Sequence, residues 1–323
     1  MKKVISYLII VIMTTLFFTG CKSEGSSSKK NVKILFSYTK EVNNEFRDIL
    51  AENAISYAKS VGSEVVIEEA EGSIEKQVDQ FKNAKNNGYS AIICIPEDVD
   101  IAKQLMAEAG DLPIIFVNKS PDEDVLVEDK YIYVGSNEEI AGQYQAEYIL
   151  EKLSSQDSIN IALLKGEKGH SATIGRTNKF IETLNNSGKN IDIVFNDYAD
   201  FSLDVAKTSF NVLLSTGKKV DAVACNNDSM AMGVIEACKD NDIDPSSIMI
   251  LGVDATNDGR NAIINGDMAF TVSQPGDVQG EYAARAAIEL ATNGTVKNID
   301  YAAEDLKHVW VPFEKVDKSN VKN

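Results

Sequence analysis

"SINIALLKGEKGHSATIGRTNKFIETLNNSGKNIDIVFND", Ser158 to Asp197, decides the fold. "SINIALLKG" is apolar with little alternation, as a strand buried on both faces should be. Gly166 and Gly169 break it. A helix is predicted from about Ala172, and "NIDIVFND" reads as the next strand. Strand, glycine turn, helix and strand again make a βαβ unit, whose two strands lie parallel in one sheet.

Working outward, the same unit recurs. "VKILFSY", "SEVVIEEA", "YSAIICIP" and "LPIIFVN" are strand-like runs separated by amphipathic segments. In the first of these segments, Phe46, Ile49, Leu50, Ala54, Tyr57, Ala58 and Val61 share one helical stripe. "YIYVGSN" precedes a second series, which continues through "KVDAVACNND", "IMILGVD" and "MAFTVSQ". A long helix is expected from about Asp277 to Thr292, and "LKHVWVP" closes the pattern. Ten to twelve strands fit two doubly wound α/β lobes with parallel sheets better than one sheet. No short tandem period points to a solenoid.

Composition narrows the function. The 323 residues carry a net charge of −17, which disfavours nucleic acid as a partner. Lys2 and Lys3 precede an apolar run, Val4 to Phe18, that is short for a membrane span. "FTGC" then leads to Cys21, and "KSEGSSSKK" has the composition of a flexible tether. This N-terminus resembles a bacterial lipoprotein signal, with Phe18 at the position where leucine is usual. It implies a signal peptide over 1–20, a lipidated Cys21, a linker over 21–30 and an extracytoplasmic protein held on the membrane. Cys94, Cys225 and Cys238 have no metal-ligand spacing and are expected to be buried thiols.

Ligands of open parallel sheets sit at the carboxyl ends of the strands. Here those ends read "SYTKEVNNEF", "NKS", "GEKGHSATIGR", "NDYADF", "NNDS", "VDATND" and "SQPGD". They are rich in Asn, Asp, Gln, Arg and Lys, with Phe46 and Phe201 among them. Such side chains match the rim of hydroxyls on a sugar, and flat rings match its C–H faces. Neither G-x-x-x-x-G-K-[ST] nor G-x-G-x-x-G is present, so a nucleotide cradle is not indicated. No nucleophile elbow or activated pair suggests an enzyme.

"PIIFVNKSP", "YIYVGSN", "IALLKGEKGH", "NNDSMAMGVIEA", "LGVDA" and "VPFEKVDK", in that order, resemble the type I periplasmic sugar-binding proteins, the galactose/glucose-binding branch in particular. The likeness covers nearly the whole chain after the linker. It implies two lobes joined by three crossing segments, near Ser136, near Ser273 to Gly276, and near Glu304 to Leu306. The first lobe would comprise 31–135 and 276–304, the second 136–275 and 305–316. Carried over residue by residue, the resemblance implies ligand contacts at Asn44, Phe46, Asn118, Lys119, His170, Arg176, Phe201, Asn227, Asp254 and Gln274.

Two departures are visible. Asn44 and Ala172 stand where that branch carries carboxylates, which puts plain glucose or galactose in doubt and leaves room at Ala172 for a substituent or another sugar. The calcium-binding turn of that branch is reduced here to "EKLSSQDSINIALLKG", with Asp221 as the remaining acid, so no metal is expected. No cofactor is implied either. The implied function is delivery of a monosaccharide to the permease subunits of an ABC importer by a monomer that closes at its hinge. The alternative is a sensor presenting the sugar to a receptor kinase or chemoreceptor.

Overall fold

The computed structural model describes residues 31–40 and 45–322. The signal peptide, Cys21, the linker and Asn44 lie outside the described residues. Two six-stranded sheets form, ordered β11-β5-β4-β3-β1-β2 and β12-β10-β9-β8-β6-β7. The first holds β1 (Lys33–Tyr38), β2 (Glu64–Glu69), β3 (Ala91–Cys94), β4 (Ile114–Val117), β5 (Tyr131–Gly135) and β11 (His308–Trp310). The second holds β6 (Ser158–Lys165), β7 (Asn190–Tyr198), β8 (Ala222–Cys225), β9 (Met249–Leu251), β10 (Phe270–Ser273) and β12 (Glu314–Asp317). All named pairings are parallel except β10 with β12.

The central strands β3, β4, β5 and β8 are buried along their whole length. Helices cover both faces of each sheet, which is why these strands carry no polar alternation. In the first lobe these are α1 (Glu45–Ser60), α2 (Ile74–Ala84), α3 (Ala102–Ala109) and α9 (Gly276–Asn293). In the second they are α4 (Glu138–Lys152), α5 (Ser171–Asn186), α6 (Leu203–Ser215), α7 (Asp228–Asp240) and α8 (Asn257–Asn265). Each lobe builds two apolar clusters, one on either side of its sheet. Cys94, Cys225 and Cys238 are free and buried within them.

The chain passes between lobes after β5, after β10 and after β11. The first two passages are joined where Gln279 Nε2 donates to Ser136 Oγ at 2.9 Å. The third corrects the sequence-based boundary. "LKHVWVP" belongs to the first lobe, because His308, Val309 and Trp310 pair with Tyr133, Val134 and Gly135. Val311 still donates to the Gly135 carbonyl at 2.8 Å, whereas Phe313 packs into the second lobe. The crossing therefore lies at Val311 to Phe313, later than Glu304 to Leu306. Pro312, lacking an N–H, ends the ladder at this point. β12 is a short strand, two of its four residues exposed, that apolar patterning alone does not mark.

Candidate functional site

Gly166 ends β6, and the ring of Phe201 lies directly against it. A Cβ on Gly166 would fall 2.1 Å from Phe201 Cζ, so only glycine admits the ring. Phe201 itself sits at φ +56°, in the turn between β7 and α6. His170 meets it edge-on, with ring centroids 5.2 Å apart and planes at 74°. Gly175 has the same kind of reason: a Cβ there would fall 2.8 Å from the Cβ of Glu138, where α5 crosses α4.

His170 is the N-cap of α5. Its Nδ1 accepts the Ala172 amide at 3.1 Å, so the ring's single proton sits on Nε2. Burial, with the nearby charges of Lys119, Arg176 and Arg47, drives its pKa down to about 3. The imidazole is thus neutral at physiological pH, and its Nε2–H is a donor.

Further along α5, Arg176 is only 3% exposed. Its Nε donates to Glu138 Oε2 at 2.7 Å, and one terminal nitrogen donates to the Asn226 carbonyl at 2.6 Å. The other donates to Gln274 Oε1 at 2.9 Å. Asp254 lies 3.9 Å away, in a backbone conformation with φ +113°. Burial opposes the guanidinium charge, but Glu138 and Asp254 outweigh it and raise the pKa above its ordinary value. Three of five N–H groups are thereby committed, which fixes the plane of the fork.

Asn227 caps α7 by accepting the Met230 amide at 3.0 Å, and its Nδ2 points to the Phe201 carbonyl at 3.5 Å. Asp254 caps no helix; Thr256 does that for α8. The neighbouring Asp228 is wholly buried and accepts from the Thr256 amide (2.8 Å) and the Thr271 hydroxyl (2.6 Å). It pins the Asp254–Thr256 turn from beneath, and burial pushes its pKa up to about 7.

From the first lobe come Phe46, Asn118 and Lys119. Asn118 follows β4 at φ +62°, and its Oδ1 accepts Arg47 Nε at 3.3 Å. Lys119 Nζ reaches the Glu97 carbonyl at 3.4 Å. Phe46 packs on the first-lobe core and on Gly276 at the start of α9, so it fills a structural place as well. The lobes meet where the Ser120 amide donates to Ser171 Oγ at 3.1 Å.

His170, Arg176, Phe201, Asn227, Asp254 and Gln274 thus form one cluster on the second lobe, and Asn118 and Lys119 face it from the first. Arg47, Glu138 and Asn226 join the site although sequence reading passes over them. Asn226 Oδ1 accepts the Gly166 amide (3.0 Å) and the Thr177 hydroxyl (3.2 Å), and so ties the glycine turn to α5. Glu138 sits in "SNEE", a pattern that suits any helix start. Arg47 carried a signal: a charge directly beside Phe46 on an apolar stripe. Asp221, in place of a metal ligand, accepts from the Asn160 amide at 2.8 Å and pairs with Lys219 at 2.7 Å.

Comparison with known proteins agrees with this architecture. Residues 34–295 match the family described as "Periplasmic binding protein domain". The chain is 30% identical over 282 residues to a putative rhizopine-binding protein of Rhizobium meliloti, covering 86% of this chain and 87% of that one. It is 27% identical to the D-galactose/methyl-galactoside binding periplasmic protein of Haemophilus influenzae, over 96% and 97% of the two chains. Among solved structures, an ABC transporter solute binding protein from Bacillus halodurans with bound myo-inositol superposes at a TM-score of 0.77. That likeness has 26% identity and covers 92% of this chain and 98% of that one.

Proposed function

Because this chain belongs to the periplasmic binding protein domain family, we propose that it captures a sugar or cyclic polyol between its lobes and delivers it to an ABC importer. It is a binding protein and not an enzyme, as are the relatives named above. The observation that carries the ligand reading is Arg176. Its fork is held on three sides by Glu138, Asn226 and Gln274, with Asp254 beside it, so donors and an acceptor stand ready for adjacent hydroxyls. His170 adds one donor and Phe201 a flat apolar wall against the ring's C–H groups.

Closing the lobes would bring Asn118 and Lys119 onto the ligand and exclude water, which strengthens every polar contact. Cys21 would carry the lipid that keeps the protein at the outer face of the membrane. Asn44 and Ala172, in place of carboxylates, argue for a ligand other than plain glucose or galactose.

The test is calorimetry and thermal shift on the chain against hexoses, pentoses, inositols, sugar acids and glycosides. Micromolar or tighter binding of at least one is expected; silence across the panel would overturn the reading. Mass spectrometry of the mature N-terminus from cells checks the lipid separately: an unmodified Cys21 would remove that part alone.

A further inference from the structure

The inner face of α2 is not apolar throughout. Its buried residues are Gln77, Gln80, Phe81 and Ala84, so half of that face is amide. Gln77 is wholly buried and Gln80 nearly so. An amide in a dry interior is tolerated only when its donors and its acceptor are answered. Gln80 Oε1 accepts the hydroxyl of the wholly buried Ser37 at 2.6 Å, and Gln80 Nε2 donates to the Glu69 carbonyl at 3.0 Å. Gln77 Nε2 donates to Ser37 Oγ at 3.2 Å and to the Ile95 carbonyl at 3.0 Å. Gln77 Oε1 accepts the Glu97 amide at 2.9 Å.

Gln77 therefore grips both ends of the Ile95–Glu97 turn, which follows β3 at the carboxyl edge of the first sheet. A leucine would fill the same space without desolvating an amide. What the satisfied network adds is a fixed position for that turn. The turn is where Lys119 rests, its Nζ reaching the Glu97 carbonyl at 3.4 Å. At the rim, Thr39 donates its hydroxyl to a Glu97 carboxylate oxygen at 2.6 Å and accepts the Gly72 amide at 2.6 Å.

We propose that Gln77 is a positioning residue for ligand capture: by fixing the Ile95–Glu97 turn, it sets where Lys119 stands in the cleft. Lysine is a point charge on a flexible four-carbon stem, so its place depends on what its ammonium rests against. Gln77 touches no ligand itself and acts through the turn.

This inference rests on the sugar-binding reading above, with Lys119 as a ligand contact, and the experiment separates the two. The probe is whichever of D-galactose, D-ribose, D-xylose and myo-inositol the full chain binds most tightly by calorimetry. Gln77→Met keeps the unbranched shape without the amide. It is expected to lower affinity about tenfold, the size of one charge-assisted bond. In a Lys119→Met background the same change should cost less than about twofold, because the group it positions is gone. Gln80→Met breaks the network at Ser37 and Glu69, away from the turn. It should lower the melting temperature as Gln77→Met does, yet leave affinity within about twofold. Thr39→Val, at a half-buried place, loosens the same turn from its rim and should lower affinity in the same Lys119-dependent way. That variant decides the matter if Gln77→Met does not fold. Parent affinity in Thr39→Val or in folded Gln77→Met would overturn the positioning role and leave sugar binding standing. Equal losses in Gln77→Met and Gln80→Met, or a loss undiminished by Lys119→Met, would do the same. Binding of none of the probes, nor of any other sugar in the panel, would overturn both.

Discussion

Arg176 Nε stands 2.7 Å from Glu138 Oε2, and both side chains are at least nine-tenths buried. The pair joins the first turn of α4, just after the chain enters the second lobe, to the middle of the cleft. Separating two charges in a dry interior leaves one of them uncompensated, which costs about 3–5 kcal/mol. Glu138→Leu should therefore lower stability by an amount of that order and weaken ligand binding about tenfold or more, because the fork loses its acceptor and countercharge at Nε. Chemical denaturation measures the first and calorimetry the second. Unchanged affinity would mean that Gln274 and Asn226 alone orient the guanidinium.

The fork geometry makes a second prediction. Lysine keeps the charge at 176 but has one nitrogen and no plane. It cannot reach Glu138, the Asn226 carbonyl and Gln274 together, so Arg176→Lys should lose about a hundredfold in affinity, two charge-assisted bonds' worth. Arg176→Ala should abolish binding altogether. Wild-type affinity in the lysine variant would show that charge, not orientation, is what the ligand requires.

Two buried groups set opposite pH dependences. His170 titrates near 6.5 unfolded and about 3 folded. Between those values only the unfolded chain holds the proton, so acidification removes stability. Asp228 titrates near 3.8 unfolded and about 7 folded. Between those values only the folded chain holds the proton, so acidification adds stability, and this contribution is lost as pH rises through 7. Each slope is at most about 1.4 kcal/mol per pH unit, and the windows overlap, so they largely cancel. Single substitutions should separate them. Relative to the parent, Asp228→Asn should lose stability on acidification toward pH 4. His170→Asn, which keeps an acceptor for the Ala172 amide, should gain it. Urea unfolding at pH 4, 5, 6 and 7 reads both; parallel profiles would mean that neither group is buried as described.

Much of this was legible in the sequence, for physical reasons. Strands covered on both faces leave unbroken apolar runs, and the strand-end polar residues followed from where parallel sheets place their ligands. The third crossing was not legible, because the run through Trp310 would suit either sheet; pairing with β5 and the halt at Pro312 decide it. Glu138 and Asn226 were missed because their roles depend on residues 38 and 60 positions away, which no local pattern encodes, whereas Arg47 shows locally only as a charge on an apolar stripe, its partner Asn118 lying 71 positions away. Asn227 opens a helix after a strand, a place that suits a cap as well as a ligand contact, and the capping bond from the Met230 amide is present.

Gly166 gives the last prediction. It reads from sequence as a turn residue, yet its φ is not among the positive values; what it lacks is room. An alanine methyl would meet Phe201 Cζ at 2.1 Å, and Phe201 is held at φ +56° by a turn that cannot easily retreat. The ring would swing away from Gly166 and from the edge of His170. Gly166→Ala should therefore reduce affinity about tenfold by displacing the aromatic wall, at a stability cost of about 1–3 kcal/mol for the overpacking. The double variant with Phe201→Leu relieves the clash, so it should recover stability but not affinity. Recovery of both would mean that Phe201 serves packing alone and that the ligand never touches it.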